Sequence, residues 1–465
     1  MNELTMELQL NSGKPLYEQI YEYIKEDIRN GRLMCGIKLP STRALAKHLN
    51  VSRSTVELAY EQLFSEGYIE SEPCKGYFVA EIRDLYQWKK EILMPALKTV
   101  SKQKKYRYDF SPRGIDLSSF PYNVWRKLSK EVLLDDRSEL FQMGDSKGEE
   151  GLRCAIRDYL HQARGVNCDA GQIIVGAGSD VLMMIVSMLL GKQYRIAFEN
   201  PTYKQAYRLF ENLSHEVTTV DMDKYGMSVE KLYESEANLA YVMPSHQYPL
   251  GTVMPIKRRM ELLNWAFEVE DRYIVEDDYD SEFRYKGKPI PALQGYDVND
   301  KVIYLGTFSK SIAPAIRVSY LVLPKTLLER YEKICSMLSP TVPKIEQCVV
   351  QKFIEEGYYE RHLNKMRALY KNRHDLLMHH LKPLLGKCKI TGEHAGVHLL
   401  LDFEDGRSEE ELIRLAKERQ IKVYGLSEYD TGQSPKEKTT ILLGFANMKE
   451  QDIVEATKIL CEIWK

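Results

Sequence analysis

Tyr304-Leu-Gly-Thr-Phe-Ser-Lys-Ser-Ile-Ala-Pro-Ala-Ile-Arg317 is the stretch on which the reading of this chain turns. An apolar, β-branched run (Val302, Ile303) ends at Gly306, the hydroxyls of Thr307 and Ser309 flank Lys310, and Arg317 lies in a second apolar run that continues Val318-Ser-Tyr-Leu-Val-Leu323. The pattern predicts a strand, a tight loop and a second strand, with one amine and one guanidinium aimed at the loop. A buried lysine gives up its proton readily and becomes a nucleophile toward an aldehyde. The two hydroxyls and the arginine fork suit a phosphate beside that aldehyde. An aldehyde with a phosphate nearby is pyridoxal 5′-phosphate (PLP), held as a Schiff base on Lys310. The competing reading is a surface loop with an ordinary solvated lysine.

The chain of 465 residues has room for more than one domain and a large core. A hydrophobic share of 44% and a charged share of 28% are those of a soluble globular protein, and a net charge of −2 excludes a polycation. Eight cysteines at irregular spacing, with no C-x-x-C pair, argue against a zinc site or a disulfide framework and fit a reducing cytoplasm. No metal site is expected. The start, MNELTMELQL, lacks the features of a signal peptide, and Val181-Leu-Met-Met-Ile-Val-Ser-Met-Leu-Leu190 is too short to span a bilayer. A cytoplasmic protein without a membrane partner is expected.

Residues 1–80 read as a separate small domain. Leu16, Ile20, Ile24 and Ile28 fall at helical spacing and Gly31 stops that helix. Ser41 is a candidate N-cap for a second helix, and Ser52-Arg-Ser-Thr begins a third that packs through Val56, Ala59 and Leu63. Tyr68-Ile-Glu-Ser and Gly76-Tyr-Phe-Val-Ala then read as a two-stranded wing. Helix, turn, helix and hairpin form a DNA-reading arrangement. Between Asp27 and Glu57 lie six basic residues (Arg29, Arg32, Lys38, Arg43, Lys47, Arg53) and no acidic one, the footprint expected on phosphates. Arg53 and Thr55 are expected at base edges, and Arg43, Ser52 and Lys75 on the DNA backbone. Residues 81–107 carry eight basic residues against three acids and read as a linker.

From Tyr108 to the end at 465, strand-like and helical runs alternate. Gln172-Ile-Ile-Val-Gly, Arg195-Ile-Ala-Phe, Leu239-Ala-Tyr-Val-Met, Tyr273-Ile-Val-Glu and Val302-Ile-Tyr-Leu predict an α/β domain around a mostly parallel sheet. From about residue 340 the pattern changes to long helices and then to an α+β subdomain. Ligands gather at the C-terminal ends of the strands in such sheets. There, Gly178, Ser179 and Asp180 can cradle a phosphate at a helix N-terminus. Asp277 is the candidate carboxylate for the pyridine nitrogen, and Tyr279 can reach the ring hydroxyl. Tyr203 can stack on the ring face. Asp278 and Asp280 are expected to be an exposed acidic turn.

Two resemblances follow. Leu39-Pro-Ser-Thr-Arg43, Leu45-Ala46, Val51-Ser-Arg-Ser-Thr-Val56 and the wing glycine Gly76 resemble the winged helix-turn-helix of the GntR family of bacterial repressors. The order glycine-rich loop, Tyr203, Asp277-x-Tyr279, Thr307-x-Ser309-Lys310, Arg317 resembles fold-type I PLP enzymes of the aspartate aminotransferase superfamily, as do Gly144-Asp-Ser-Lys-Gly148, Leu152-Arg153, Pro244-Ser-His-Gln-Tyr-Pro-Leu-Gly251 and Leu443-Gly-Phe-Ala446. A head of the first kind on a domain of the second is the architecture of the MocR/GabR family of PLP-binding transcription regulators. The resemblance implies a homodimer with sites at the subunit interface, double-stranded operator DNA as partner, and PLP itself, an amine or an amino acid as effector.

Two departures bear on catalysis. Transaminases of the superfamily supply an asparagine from an Asn-Pro-x-Gly segment to the PLP ring hydroxyl. Here the segment reads Tyr248-Pro-Leu-Gly251, with His246 or Gln247 as nearby substitutes. The carboxylate-clamping arginine usual before the late Leu-Gly-Phe is Leu442 here, a loss of about 2–5 kcal/mol in holding an α-carboxylate unless another arginine replaces it. The expectation is a PLP-binding sensor with little turnover. The alternatives are a working aminotransferase with an accessory head, and a repressor whose large domain binds a metabolite without PLP.

Overall fold

The computed structural model describes residues 6, 8–9, 13–81, 106–134, 138–285, 287, 289–392, 395–431 and 439–465. Apart from 81, 106 and 107, the expected linker lies outside the described residues. The chain divides into two units, Met1–Gln103 and Lys104–Lys465.

The first unit holds α1 (Leu16–Arg29), α2 (Thr42–Leu49), α3 (Arg53–Ser65), β1 (Ile69–Glu72) and β2 (Gly76–Val79). The caps fall where the side chains allow them: Ser41 Oγ accepts from Ala44 N and Ser52 Oγ accepts from Thr55 N, each at 3.2 Å. Ile20 and Ile24 of α1, and Val56, Ala59 and Leu63 of α3, are fully buried, so one apolar stripe from each helix closes the core. The antiparallel wing pairs Ile69 with Val79 and Glu72 with Gly76.

The second unit opens with β3 (Tyr108–Asp109), α4 (Tyr122–Leu133), α5 (Glu150–Arg164), β4 (Ile173–Gly176), α6 (Ser179–Leu190), β5 (Arg195–Asn200) and α7 (Lys204–Asn212). It continues with β6 (Glu216–Asp223), β7 (Gly226–Met227), α8 (Val229–Glu234), β8 (Leu239–Val242), α9 (Ile256–Phe267), β9 (Tyr273–Asp278), β10 (Val302–Thr307) and β11 (Ser319–Val322). The later part comprises α10 (Lys325–Ile334), α11 (Lys344–Glu355), α12 (Tyr358–Leu381), β12 (Cys388–Thr391), β13 (His398–Phe403), α13 (Glu409–Glu418), β14 (Ile421–Lys422), β15 (Tyr424–Gly425), β16 (Thr439–Gly444) and α14 (Glu450–Ile463).

Eight strands form the main sheet in the order β4-β11-β10-β9-β8-β5-β6-β7. The inner strands β10, β9, β8, β5 and β6 run parallel, while β11 runs antiparallel to both neighbours. Every residue of β4, β8, β9 and β11 is buried, as expected for strands covered on both faces. A second sheet, β12-β13-β16-β15, packs with Tyr370, Leu377 and Trp464 into its own core. Among the described residues no helix is long and apolar enough to cross a membrane, and no cluster of potential metal ligands occurs.

Candidate functional site

Strand register builds the site. β10 and β11 pair with Thr307 opposite Ser319, and β11 and β4 pair with Ser319 opposite Gly176. The turns after Thr307 and Gly176 therefore emerge at one end of the sheet, beside Asp277, which pairs across from Leu305. This is the carboxyl end of the parallel strands. A cavity of 310 Å³ opens there, near the lower end of the range of about 300–1,000 Å³ for small-molecule sites. Lys310, Asp277, Tyr279, Tyr203 and Thr307 line it, and so do Ser309, Arg317, Ser179 and Asp180.

One end of the cavity is built for an anion. Gly178 caps α6 at φ +96°, and a Cβ there would lie 2.0 Å from Arg317 Nη2. Only glycine lets the guanidinium lie across this helix N-terminus. Arg317, itself left-handed at φ +52°, donates from Nη2 to Ala177 O at 3.1 Å and sits 3.3 Å from Asp180 Oδ2. The first-turn N–H groups of α6 lack partners within the helix. Thr307 Oγ1 accepts from Ser309 N at 3.1 Å and from the Ser319 hydroxyl at 2.8 Å. Ser309 Oγ is buried with no hydrogen-bond partner. An orphaned hydroxyl beside a guanidinium and free amides calls for an acceptor from outside the chain.

The other groups have matched chemistry. Loss of hydration lowers the Lys310 pKa to about 8, with Asp280 opposing and Arg113 adding to the shift. Asp277 is buried, accepts from the Tyr241 hydroxyl at 2.5 Å, and is pushed by burial up to about 7. A cationic ring nitrogen in the cavity would offset that cost. The Tyr203 ring meets Tyr248 edge-on at 6.1 Å and carries the Arg113 guanidinium over its face at 5.4 Å.

Asp278 and Asp280 are not an exposed turn. Asp278 is buried on Arg164 Nε at 2.8 Å and the Tyr304 hydroxyl at 2.5 Å; Asp280 is buried on His246 Nδ1 at 3.0 Å. An acidic run at a strand end looks solvated until its partners are known, and these arrive from α5 and from the loop after β8. Neither substitute named for the missing asparagine lines the cavity. His246 is held by Asp280 and Tyr279, and Gln247 donates to Pro201 O at 2.8 Å and accepts from Leu250 N at 3.0 Å. Tyr248 lines the cavity instead. Leu442 is fully buried in β16, opposite Leu400. Sequence reasoning missed Arg113, Tyr241 and Tyr248. The only local signal for Arg113 was a Pro-Arg-Gly turn after a short strand, which by itself carries no chemistry.

In the first unit, Ser52 caps α3, and Arg53 and Thr55 lie in its first turn. Arg53 is exposed, held loosely by Glu57 at 2.7 Å, whereas the Thr55 hydroxyl bonds Ser52 Oγ at 2.7 Å. Arg43 is exposed near the start of α2. Lys75 lies in the wing turn, 2.8 Å from Glu72, and Gly76 follows at φ +107°.

The fold and the cavity define the larger unit as a fold-type I, aminotransferase-like domain, a class whose enzymes use PLP. The description "Aminotransferase class I and II" matches residues 115–460, and "Bacterial regulatory proteins, gntR family" matches residues 16–79. A multiple substrate aminotransferase from Thermococcus profundus superposes with a TM-score of 0.70 at 25% identity, covering 81% of this chain and 95% of that one. The uncharacterized HTH-type transcriptional regulator YdeL of Bacillus subtilis is 40% identical over 97% of both chains. The probable rhizopine catabolism regulatory protein MocR of Rhizobium meliloti is 30% identical over 97% of this chain and 94% of its own. The chain belongs to the MocR-type family of HTH-type transcriptional regulators, in which a GntR head precedes an aminotransferase-like domain.

Proposed function

We propose that this chain is a PLP-dependent transcriptional regulator that binds operator DNA through its head and senses PLP, or an amine or amino acid that reacts with it, at Lys310. One observation carries the reading. In a chain with a DNA-binding head, a depressed lysine, a buried aspartate and a guanidinium-backed helix N-terminus with an unpartnered hydroxyl share one small cavity. When bound, PLP supplies an aldehyde that condenses with the lysine. Lys310, its pKa lowered to about 8 by burial, offers the free amine more readily than a solvated lysine. Arg317, Ser309 and the α6 amides would hold the phosphate. Asp277 would accept a hydrogen bond from the protonated ring nitrogen, Tyr203 would cover the ring, and Tyr279 would serve the ring hydroxyl.

We further infer a homodimer. Phe141 (77% exposed), Met143 (76%) and Met337 (84%) leave an apolar surface on two neighbouring segments tied together by the Tyr331 hydroxyl on Ser146 O at 3.0 Å. A second copy would cover it.

DNA footprinting on the protein's own upstream region, with and without PLP and candidate amines, tests the reading. A footprint that responds to PLP or to an amine supports it. A protein that stays colourless with PLP, or that turns over amino donor and keto acceptor at about 1–1000 per second, overturns it.

A further inference from the structure

The main cavity holds two arginines that differ in what occupies them. Arg317 is committed to the anion end through Ala177 O and Asp180. Arg113 enters from the loop after β3 and lies over the Tyr203 ring at 5.4 Å. Its neighbours are hydroxyl-bearing rings: Tyr248 and Tyr429, whose oxygens are 3.0 Å apart, and Tyr203. Glu428 feels its charge, but among the described residues Arg113 makes no ion pair with any carboxylate. Arg113 also lines an adjoining open cavity of 700 Å³, so a ligand can reach it from solvent. It is close enough to Lys310 for its charge to be felt there. Meanwhile the clamp position late in the chain holds Leu442, wholly buried and closed to any ligand.

A guanidinium braced on an aromatic face, with no acid paired to it, is a carboxylate receptor awaiting its ligand. An amine without an acidic group would leave that charge unanswered, and PLP has its phosphate at the Arg317 end. We propose that Arg113 is the residue that binds the effector's carboxylate, and that the effector is a primary amine carrying a carboxylate, an amino acid rather than a simple amine. This rests on the reading of Lys310 as the PLP-binding lysine. With PLP bound, the ligand's amine would take the place of the Lys310 amine on the aldehyde carbon, one C=N bond replacing another. Lys310 would be released as a free amine carrying the two protons that the ligand's amine gives up. No oxidant or reductant is needed.

The test uses the full-length protein reconstituted with PLP. Its visible absorbance is followed as it is titrated with amino acids and with their decarboxylated counterparts: L-alanine against ethylamine, L-lysine against cadaverine, L-tyrosine against tyramine. β-Alanine and 4-aminobutyrate extend the set, with propylamine as the acid-free control. At least one acid is expected to shift the spectrum at a concentration lower by about 10-fold or more than its acid-free counterpart, the contribution of a charge-assisted fork. In Arg113→Gln that gap should vanish, acids and their acid-free counterparts reaching their midpoints together, a comparison within one variant that cancels any change in Lys310 from loss of the charge. Arg113→Lys, which keeps the charge and loses the fork, should restore part of it. Three results overturn the proposal: no acid in the set shifts the spectrum, acids and amines act alike on the wild type, or the gap persists in Arg113→Gln. A wild type that gains no visible band with PLP instead removes the Lys310 reading, and this proposal with it.

Discussion

His246 and Asp280 form a buried pair: His246 Nδ1 lies 3.0 Å from Asp280 Oδ1, and the same nitrogen lies 3.0 Å from the Tyr279 hydroxyl. Both side chains are almost completely shielded from solvent. A carboxylate only accepts, so Asp280 holds a proton on Nδ1 and thereby fixes the ring that touches Tyr279. Removing one member of such a pair strands the other. Asp280→Ala should lower stability by about 1–3 kcal/mol, the cost of leaving the buried imidazole N–H without its acceptor, read as a fall in the denaturant midpoint, and Asp280→Asn, which keeps an acceptor oxygen, should lose less. An unchanged midpoint in Asp280→Ala would mean the pair contributes nothing.

Lys310 predicts a pH profile for PLP capture. Its pKa is lowered to about 8, so the free amine is present above that pH and is lost as pH falls through it. The rate of colour formation with PLP should rise from pH 6 to about 8 and then level off. Stability follows the same sign. The folded chain binds fewer protons here than the unfolded chain between about 8 and the ordinary lysine value of 10.5, so the penalty of the buried ammonium fades as pH rises through that window. A plateau reached only above pH 10 would show an ordinary solvated lysine. Lys310→Ala should not form the band at all.

Asp277 should respond in opposite directions with and without cofactor. Burial pushes its pKa up to about 7, so its charged form destabilises the cofactor-free protein increasingly as pH rises from the unfolded carboxylate range toward 7. At pH 8, Asp277→Asn should leave the thermal midpoint of the cofactor-free protein unchanged or raise it. The same substitution should weaken PLP binding by about 10-fold or more, because the ring nitrogen loses its ionic partner. Equal PLP affinity in the variant, measured by equilibrium titration, would remove Asp277 from the site.

On the head, Arg53→Ala should weaken specific DNA binding by about 1–3 kcal/mol and relax the preference at the bases it meets. Lys75→Ala should weaken binding to all sequences alike and reduce the slope of log affinity against log salt by about 1. Mobility-shift titrations at several salt concentrations separate the two effects. If Arg53→Ala lowers affinity uniformly, the guanidinium touches phosphate and not base.

Much of this was written in local order. The caps at Ser41 and Ser52, the strand–loop–strand around Lys310 and the two linked architectures depend on residues close together in the chain, where hydrogen bonding and hydrophobic periodicity act directly. The residues lining the cavity were legible for the same reason: each sits at or beside a strand end, and those ends meet at the carboxyl edge of the parallel strands. The rest depends on contacts between distant segments. Asp278 and Asp280 looked solvated because their partners, Arg164 and His246, lie far along the chain, and only packing decides whether an acid meets water or a buried donor. The turn that carries Arg113 points to no chemistry in the sequence. It becomes a candidate because folding lays it over Tyr203 while burying Leu442, so the position of a charge relative to a cavity was fixed by tertiary packing alone.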